Sequence, residues 1–260
     1  MPNLALVTGA SSGIGRELAR HHAAQGGDLI ITARRSEALE TLKAELEAAH
    51  GVAVHVIALD LGGEGGARAL YEAVTASGHE IDILINNAGF GGHGVFTDRD
   101  LERDLAMIDL NVKALVELTH RFGREMAMRG RGRILNVSST ASYLPGPLQA
   151  TYYATKAFVS SFSQAVAEEL REKGVTVTAL EPGPVDTEFF ETANLKGTAL
   201  GETAASPAHT AKVGYQAMLR GDLTVTDNPK MGFLLNWVTP FMPRRKLLKR
   251  VYDMQAKRAL

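Results

Sequence analysis

Short apolar runs alternate along the chain with longer stretches in which apolar residues recur every three or four positions. The runs at 3–8, 28–33, 52–59, 81–86, 133–138 and 175–181 have the length and β-branched content of strands. The fourth carries no charge after Asp82, as a strand covered on both faces requires. Between these runs, helices are predicted at about 14–26, 36–49, 66–77, 101–126, 152–173 and 208–220. Leu39, Leu42, Leu46 and Ala49 form one apolar face of the second helix.

Strict alternation of strand and helix predicts one α/β domain, an open parallel sheet flanked by helices. Parallel crossovers bring the loops that follow the strands to one edge of the sheet. Residues 1–228 are read as this core, with 187–210 as a loop above the sheet. Residues 229–260 form an extension of the same domain, apolar and then basic, in a pattern that permits an interfacial helix interrupted by Pro240 and Pro243. No internal repeat or low-complexity linker is evident.

Composition removes several chemistries. Without cysteine, there is no disulfide, thiolate catalysis, iron–sulfur ligation or cysteine-bound zinc, and no metal is expected. With 260 residues the chain is long enough to build a full core unaided. There is neither a basic leader with an apolar core nor an 18-residue apolar run, so cytoplasmic localisation is the expectation. The net charge of −1 is unevenly spread. Residues 229–260 hold eight Lys/Arg and one Asp, net +7, leaving 20 basic and 28 acidic residues, net −8. No general nucleic-acid signature is present. The basic extension has three readings: a solvated helix with an apolar docking face, a cover over the site or a neighbouring subunit, or a peripheral contact with anionic lipid.

The glycine-rich segment Gly9-Ala10-Ser11-Ser12-Gly13-Ile14-Gly15 follows a strand and opens a helix. Such a turn lets a diphosphate approach the backbone and meet the unpaired N–H groups of the helix start. Gly9, Ser11, Ser12, Gly13, Ile14 and Gly15 are the cofactor-binding candidates there. No lysine and magnesium-binding Ser/Thr follow these glycines, which disfavours a kinase-type phosphate loop. The second strand ends Thr32-Ala33-Arg34-Arg35, without the acidic residue that would hold a ribose hydroxyl. Arg34 therefore suits the 2′-phosphate of NADP; Arg35 either assists or simply starts a helix. Asp60, with Leu61 beside it, is placed to accept an adenine N–H or to cap its own loop. Asn87, Ala88 and Gly89 lie beside the nucleotide, although Asn87 also suits tying two backbone segments together.

Tyr152 and Lys156 lie four apart on one helical face, where the ammonium favours phenolate and lowers the phenol's pKa. The spacing alone is not diagnostic; its position after the strand ending Asn136-Val137-Ser138-Ser139 raises it. Ser139 can orient a substrate oxygen while Tyr152 exchanges its proton. Tyr153 presents another face and is read as packing or substrate wall. Asn111, inside a predicted helix, needs a partner: a water-linked path to Lys156 or a local helix bond. Tyr143, Leu144, Leu148, Phe189 and Phe190 are candidate apolar walls or ordinary packing, and no carboxylate or phosphate clamp is evident.

In joint order, TGASSGIG at 8–15, NNAG at 86–89, Asn111, Ser139 with Tyr152 and Lys156, and PGPVDT at 182–187 resemble the short-chain dehydrogenase/reductase family over about 3–190. The resemblance implies a Rossmann-like fold with a small substrate-binding extension, and a nicotinamide oxidoreductase with Asn111, Ser139, Tyr152 and Lys156 as its tetrad. It implies that Lys156 holds the nicotinamide ribose, that Asn111 supports a proton-relay water, and that Val185 and Thr187 contact the carboxamide. Pro182 and Gly183 would shape the approach, and a homodimer or homotetramer is implied. Glu181 departs from the asparagine frequent in the family. The expected activity is NADP(H)-dependent interconversion of an apolar ketone and a secondary alcohol, including a steroid-like or acyl-linked one. A catalytically inactive NADP sensor is the alternative, which would need no tetrad.

Overall fold

The apolar runs become strands because their β-branched residues fill a surface covered from both sides. In the computed structural model, described over residues 3–195, 198 and 204–256, the chain runs in order through β1 (Ala5–Thr8), α1 (Gly13–Ala23), β2 (Leu29–Ala33), α2 (Ser36–His50), β3 (Val54–Ala58), α3 (Gly66–Ala76) and β4 (Ile83–Asn86). It continues through α4 (Leu101–Ile108), a π-helical turn (Asp109–Ala114), α5 (Leu115–Arg129), β5 (Gly132–Val137), α6 (Ala150–Arg171) and β6 (Val175–Leu180). The last part holds α7 (Phe189–Thr192), α8 (Pro207–Arg220), β7 (Thr224–Val225), α9 (Pro229–Phe233) and α10 (Arg244–Gln255).

The sheet is wholly parallel in the order β3-β2-β1-β4-β5-β6-β7. Alternate side chains serve opposite faces. Val7, Ile31 and Leu135 join Leu18, Leu39 and Tyr215 on one side. Leu6, Ile30 and Ile134 join Leu70, Phe122 and Met126 on the other. The order turns back between β1 and β4, which opens a crevice at their C-terminal ends. Every strand ends toward that edge, so the sheet itself gathers the candidate residues.

Two expectations need revision. The predicted helix at 101–126 is interrupted by the π turn, which holds Asn111. A seventh strand, only two residues long, was too short to leave a periodic signal. After α9 the chain makes a π turn (Leu234–Val238) and a 3₁₀ turn (Thr239–Phe241) before α10, so the extension is interrupted around Pro240 and Pro243 as the sequence predicts. Part of the predicted 187–210 loop, residues 196, 197 and 199–203, lies outside the described residues. No described helix is long and apolar enough to cross a membrane.

Candidate active site

At the crevice, the turn after β1 is built for close approach. Gly9 and Gly13 adopt φ of 67° and 53°. A Cβ on Gly9 would lie 2.8 Å from Asn87 Nδ2 and 2.9 Å from Ala88 Cα, so a side chain there strains the backbone and collides with the NNAG loop. Ser12 caps α1 without using its side chain, and no acid occupies the helix's first turn, which leaves the N–H groups of Gly13, Ile14 and Gly15 facing the turn without a competing anion. A Cβ on Gly13 would come within 3.0 Å of Thr187 Cγ2, so the segment after β6 closes over the same turn. These features fit a dinucleotide diphosphate.

Arg34 is exposed just beyond β2 and has no hydrogen-bonding or ionic partner among the described residues. Arg35 is occupied instead: it donates to Ser11 Oγ at 3.2 Å and to Glu188 at 2.9 Å. Asp60 takes the cap it was offered, accepting from Gly62 N at 3.1 Å, while Leu61 is buried in the core. Asn87 ties two backbone segments, donating from Nδ2 to the carbonyls of Thr8 at 3.0 Å and Gly9 at 3.2 Å. Thr8, passed over in the sequence, makes the corresponding contact from the other side. Its buried Oγ1 accepts from Asn87 N at 2.9 Å and Ala88 N at 3.0 Å, and donates to Ile85 O at 3.3 Å.

The four candidate catalytic residues meet where β4, β5 and α6 come together. Lys156 is buried, and its ammonium donates to Val137 O at 2.8 Å. A Cβ on Gly89 would lie 2.9 Å from Asn111 Oδ1 and 3.7 Å from Lys156 Nζ, which puts the loop, the amide and the lysine in one place. Asn111 does not make the local helix bond that is one of its two expected roles. Its Oδ1 accepts from Phe90 N at 3.1 Å, and its Nδ2 donates to Phe90 O at 3.0 Å and Thr155 Oγ1 at 3.2 Å. It clamps the loop after β4 to α6. Ser139 stands in extended backbone after β5, accepting from Ala141 N at 3.1 Å and donating to Pro182 O at 3.4 Å.

Burial pushes the Tyr152 phenol up to about 12, while its hydrogen bond with Ser139 acts in the opposite direction. Burial also pushes Lys156 down to about 8. The acidification of Tyr152 by Lys156 expected from their spacing is therefore not what this arrangement produces. Desolvation penalises both charged forms, and the ammonium, 5.9 Å from the phenol ring centroid, spends a hydrogen bond on Val137.

The remaining predicted contacts follow β6. Pro182 O also accepts from Thr140 N at 2.8 Å, joining the ends of β5 and β6. Gly183 N donates at 2.9 Å to Asp227, which also accepts from Thr210 Oγ1 at 2.6 Å. Val185 is buried and bridges to Ala205, and Thr187 Oγ1 lies 3.4 Å from Val185 O. Glu181 is buried and accepts from Tyr143 Oη and, at 2.7 Å, from Ser160 Oγ. Ser138 Oγ lies 2.8 Å from Ser160 Oγ and donates to Lys156 O, so the unusual acid braces the turn that carries Lys156.

Apolar walls stand beside this group. Phe189 packs on Tyr152 with ring centroids 5.3 Å apart. Tyr143, Leu144, Pro145, Pro147, Tyr153 and Leu248 border an open groove of about 490 Å³. A larger depression of about 560 Å³ runs along Val112, Val116 and His120 and contains none of the site residues.

The sequence profile of the short chain dehydrogenase family matches residues 3–197. The chain belongs to this family. Among its short-chain dehydrogenase relatives, a serine 3-dehydrogenase of Agrobacterium fabrum is 37% identical over 190 residues, covering 73% of this chain and 74% of that protein. A sulfoacetaldehyde reductase of Chromohalobacter salexigens is 40% identical over 193 residues, covering 73% and 75%. A short-chain dehydrogenase of Sphingobium yanoikuyae, solved in complex with NADPH, superposes with a TM-score of 0.84 at 28% identity, covering 100% of this chain and 98% of that one. Membership places this short-chain dehydrogenase among the nicotinamide-dependent oxidoreductases.

Proposed function

We propose that the protein is an NADP(H)-dependent oxidoreductase that interconverts an apolar ketone and its secondary alcohol, with Tyr152 as the acid and base. The observation that carries this reading is the convergence of Tyr152, Ser139, Lys156 and Asn111 at the strand ends bordering the β1/β4 crevice. Gly9, Gly13 and the start of α1 would hold the diphosphate, and Arg34 the 2′-phosphate, since it is a free guanidinium where an acid would repel that group. Lys156 would hold the nicotinamide ribose, with Val185 and Thr187 at the carboxamide. A nicotinamide held by these residues would supply the hydride-transfer chemistry.

Tyr152 then supplies or removes the proton on the substrate oxygen, and Ser139 orients that oxygen. With its phenol pushed up to about 12, Tyr152 is protonated at neutral pH, the form that reduction of a carbonyl requires. Phe189 and the Tyr143–Leu144 wall favour an apolar substrate over a phosphorylated one. The proposal includes a cytoplasmic homodimer or homotetramer, in keeping with the family.

Tyr152→Phe keeps the ring packing on Phe189 and removes the transferable proton. Turnover of NADPH with a ketone found by screening is expected to fall by at least about 100-fold, with NADPH affinity retained. Near-normal turnover in the variant would refute the assignment. Tight NADPH binding by a wild type that reduces none of a broad ketone panel would point to the nucleotide-sensor alternative.

A further inference from the structure

The C-terminal extension holds itself on the core with one set of residues and turns two chemically different sets outward. Leu235, Thr239, Leu247, Val251 and Gln255 are buried. Gln255 accepts from Gln149 Nε2 at 2.8 Å, and its carbonyl lies 2.8 Å from His93 Nε2, so the end of α10 is fastened beside the site loops. Outward, the nine residues 233–241 expose Phe233 (64%), Trp237 (68%) and Phe241 (84%) together with Leu234 and Val238. Next in the chain, Arg244, Arg245, Lys246 and Arg250 are exposed with no ionic or hydrogen-bonding partner among the described residues. Lys249 alone is paired, with Asp253 at 2.8 Å.

We propose that residues 233–250 dock the protein on the surface of an anionic lipid bilayer. So many large apolar side chains exposed within nine residues mark an interaction surface rather than ordinary scatter. Aromatic and aliphatic residues beside a cationic run match the two layers of a bilayer interface, where rings enter the headgroup and acyl boundary and Lys/Arg meet anionic headgroups. Two-fold self-association through this strip would turn the same cationic run toward itself, since a two-fold contact pairs the same patch on both copies. The remainder of the chain, net −8, is repelled by an anionic surface while the extension, net +7, is attracted, so the charge distribution also orients the approach. No described helix is long and apolar enough to span, so the segment lies on the bilayer rather than crossing it. The strip adjoins the groove: Asn236 Nδ2 donates to Tyr143 Oη at 3.3 Å, and Leu248 is among the residues that line it. Docking thus brings an apolar groove to the lipid side, and it holds whether or not the proposed reaction is correct.

The test is co-sedimentation of the full chain with vesicles of phosphatidylcholine alone and with added phosphatidylserine, at low and high salt. Emission of Trp237, the only tryptophan, is read in parallel. Retention on the serine-containing vesicles at low salt, release by salt and a blue shift of the emission are expected. The variant R244Q/R245Q/K246Q/R250Q is expected to partition at least about 100-fold more weakly, at roughly fivefold per removed charge. The variant F233S/F241S is expected to lose the blue shift while keeping its melting temperature. Failure of the wild type to sediment with anionic vesicles at low salt overturns the proposal, as does retention of full binding by the charge variant. Association between copies that F233S/F241S abolishes, without vesicle capture, overturns it in favour of a subunit interface.

Discussion

Thr8→Val isolates the hydroxyl that joins the phosphate turn to the NNAG loop. Valine keeps the β-branched shape that β1 requires and removes only Oγ1. Two backbone donors, Asn87 N and Ala88 N, then lose their acceptor at 2.9 and 3.0 Å, and the longer bond to Ile85 O is lost with them. An orphaned buried donor costs about 1–3 kcal/mol. Both N–H groups lie near the crevice, where water offers partial repair, so the expected loss is about 2–4 kcal/mol rather than the full sum. For a chain of this size that corresponds to roughly 4–16 °C in melting temperature. Urea unfolding at constant m-value measures it, and titration with NADPH should show weakened binding because the NNAG loop has lost its tether. Thr8→Ser, which keeps the oxygen and gives up one methyl, should cost about 1 kcal/mol. A valine variant within about 0.5 kcal/mol of wild type, or a serine variant equally damaged, would refute the reasoning, for then the hydroxyl would not be what holds the two loops.

The difference between Thr8 and its neighbours explains what the sequence could show. Gly9, Tyr152 and Lys156 were legible because their roles are local: a positive φ in a turn, or two side chains one helical turn apart. The strands were legible because burial on both faces leaves an uninterrupted apolar run. Thr8 reads as one more β-branched strand residue, since the loop it holds begins 79 positions later and is its neighbour only through the β1–β4 pairing. Asn111 was identified as a polar residue needing a partner, but its partner is a loop backbone reached across a π turn that interrupts an otherwise regular helical pattern. Glu181 stood out as a departure from the family, while its partners Tyr143 and Ser160 come from separate elements. The lysine–tyrosine pair shows another kind of shortfall. Spacing gives proximity, whereas the sign of the pKa shift depends on how deeply both groups are buried, which no periodicity encodes.

Two further substitutions probe the ends of the site. Arg34→Ala should raise the dissociation constant for NADPH by about 10–100-fold, the worth of one charge-assisted contact of roughly 1.5–3 kcal/mol, and leave that for NADH nearly unchanged; equal changes measured by fluorescence titration would reject the cofactor assignment. Glu181→Gln addresses the buried acid. Burial raises the Glu181 carboxyl above its ordinary 4.5, against the hydrogen bonds donated by Tyr143 and Ser160. A carboxyl raised in the folded state keeps its proton to higher pH than it does in the unfolded chain. Its contribution to stability is therefore complete below the unfolded value and lost as pH climbs through the folded one. Glutamine does not titrate, so wild type should lose stability relative to the variant as pH rises above about 4.5, the gap levelling off once the folded group has ionised. Denaturant midpoints of both proteins across that range decide the matter. Parallel curves would mean that the acid ionises alike in both states, and a gap opening in the other direction would mean that its hydrogen bonds, not its burial, govern the proton.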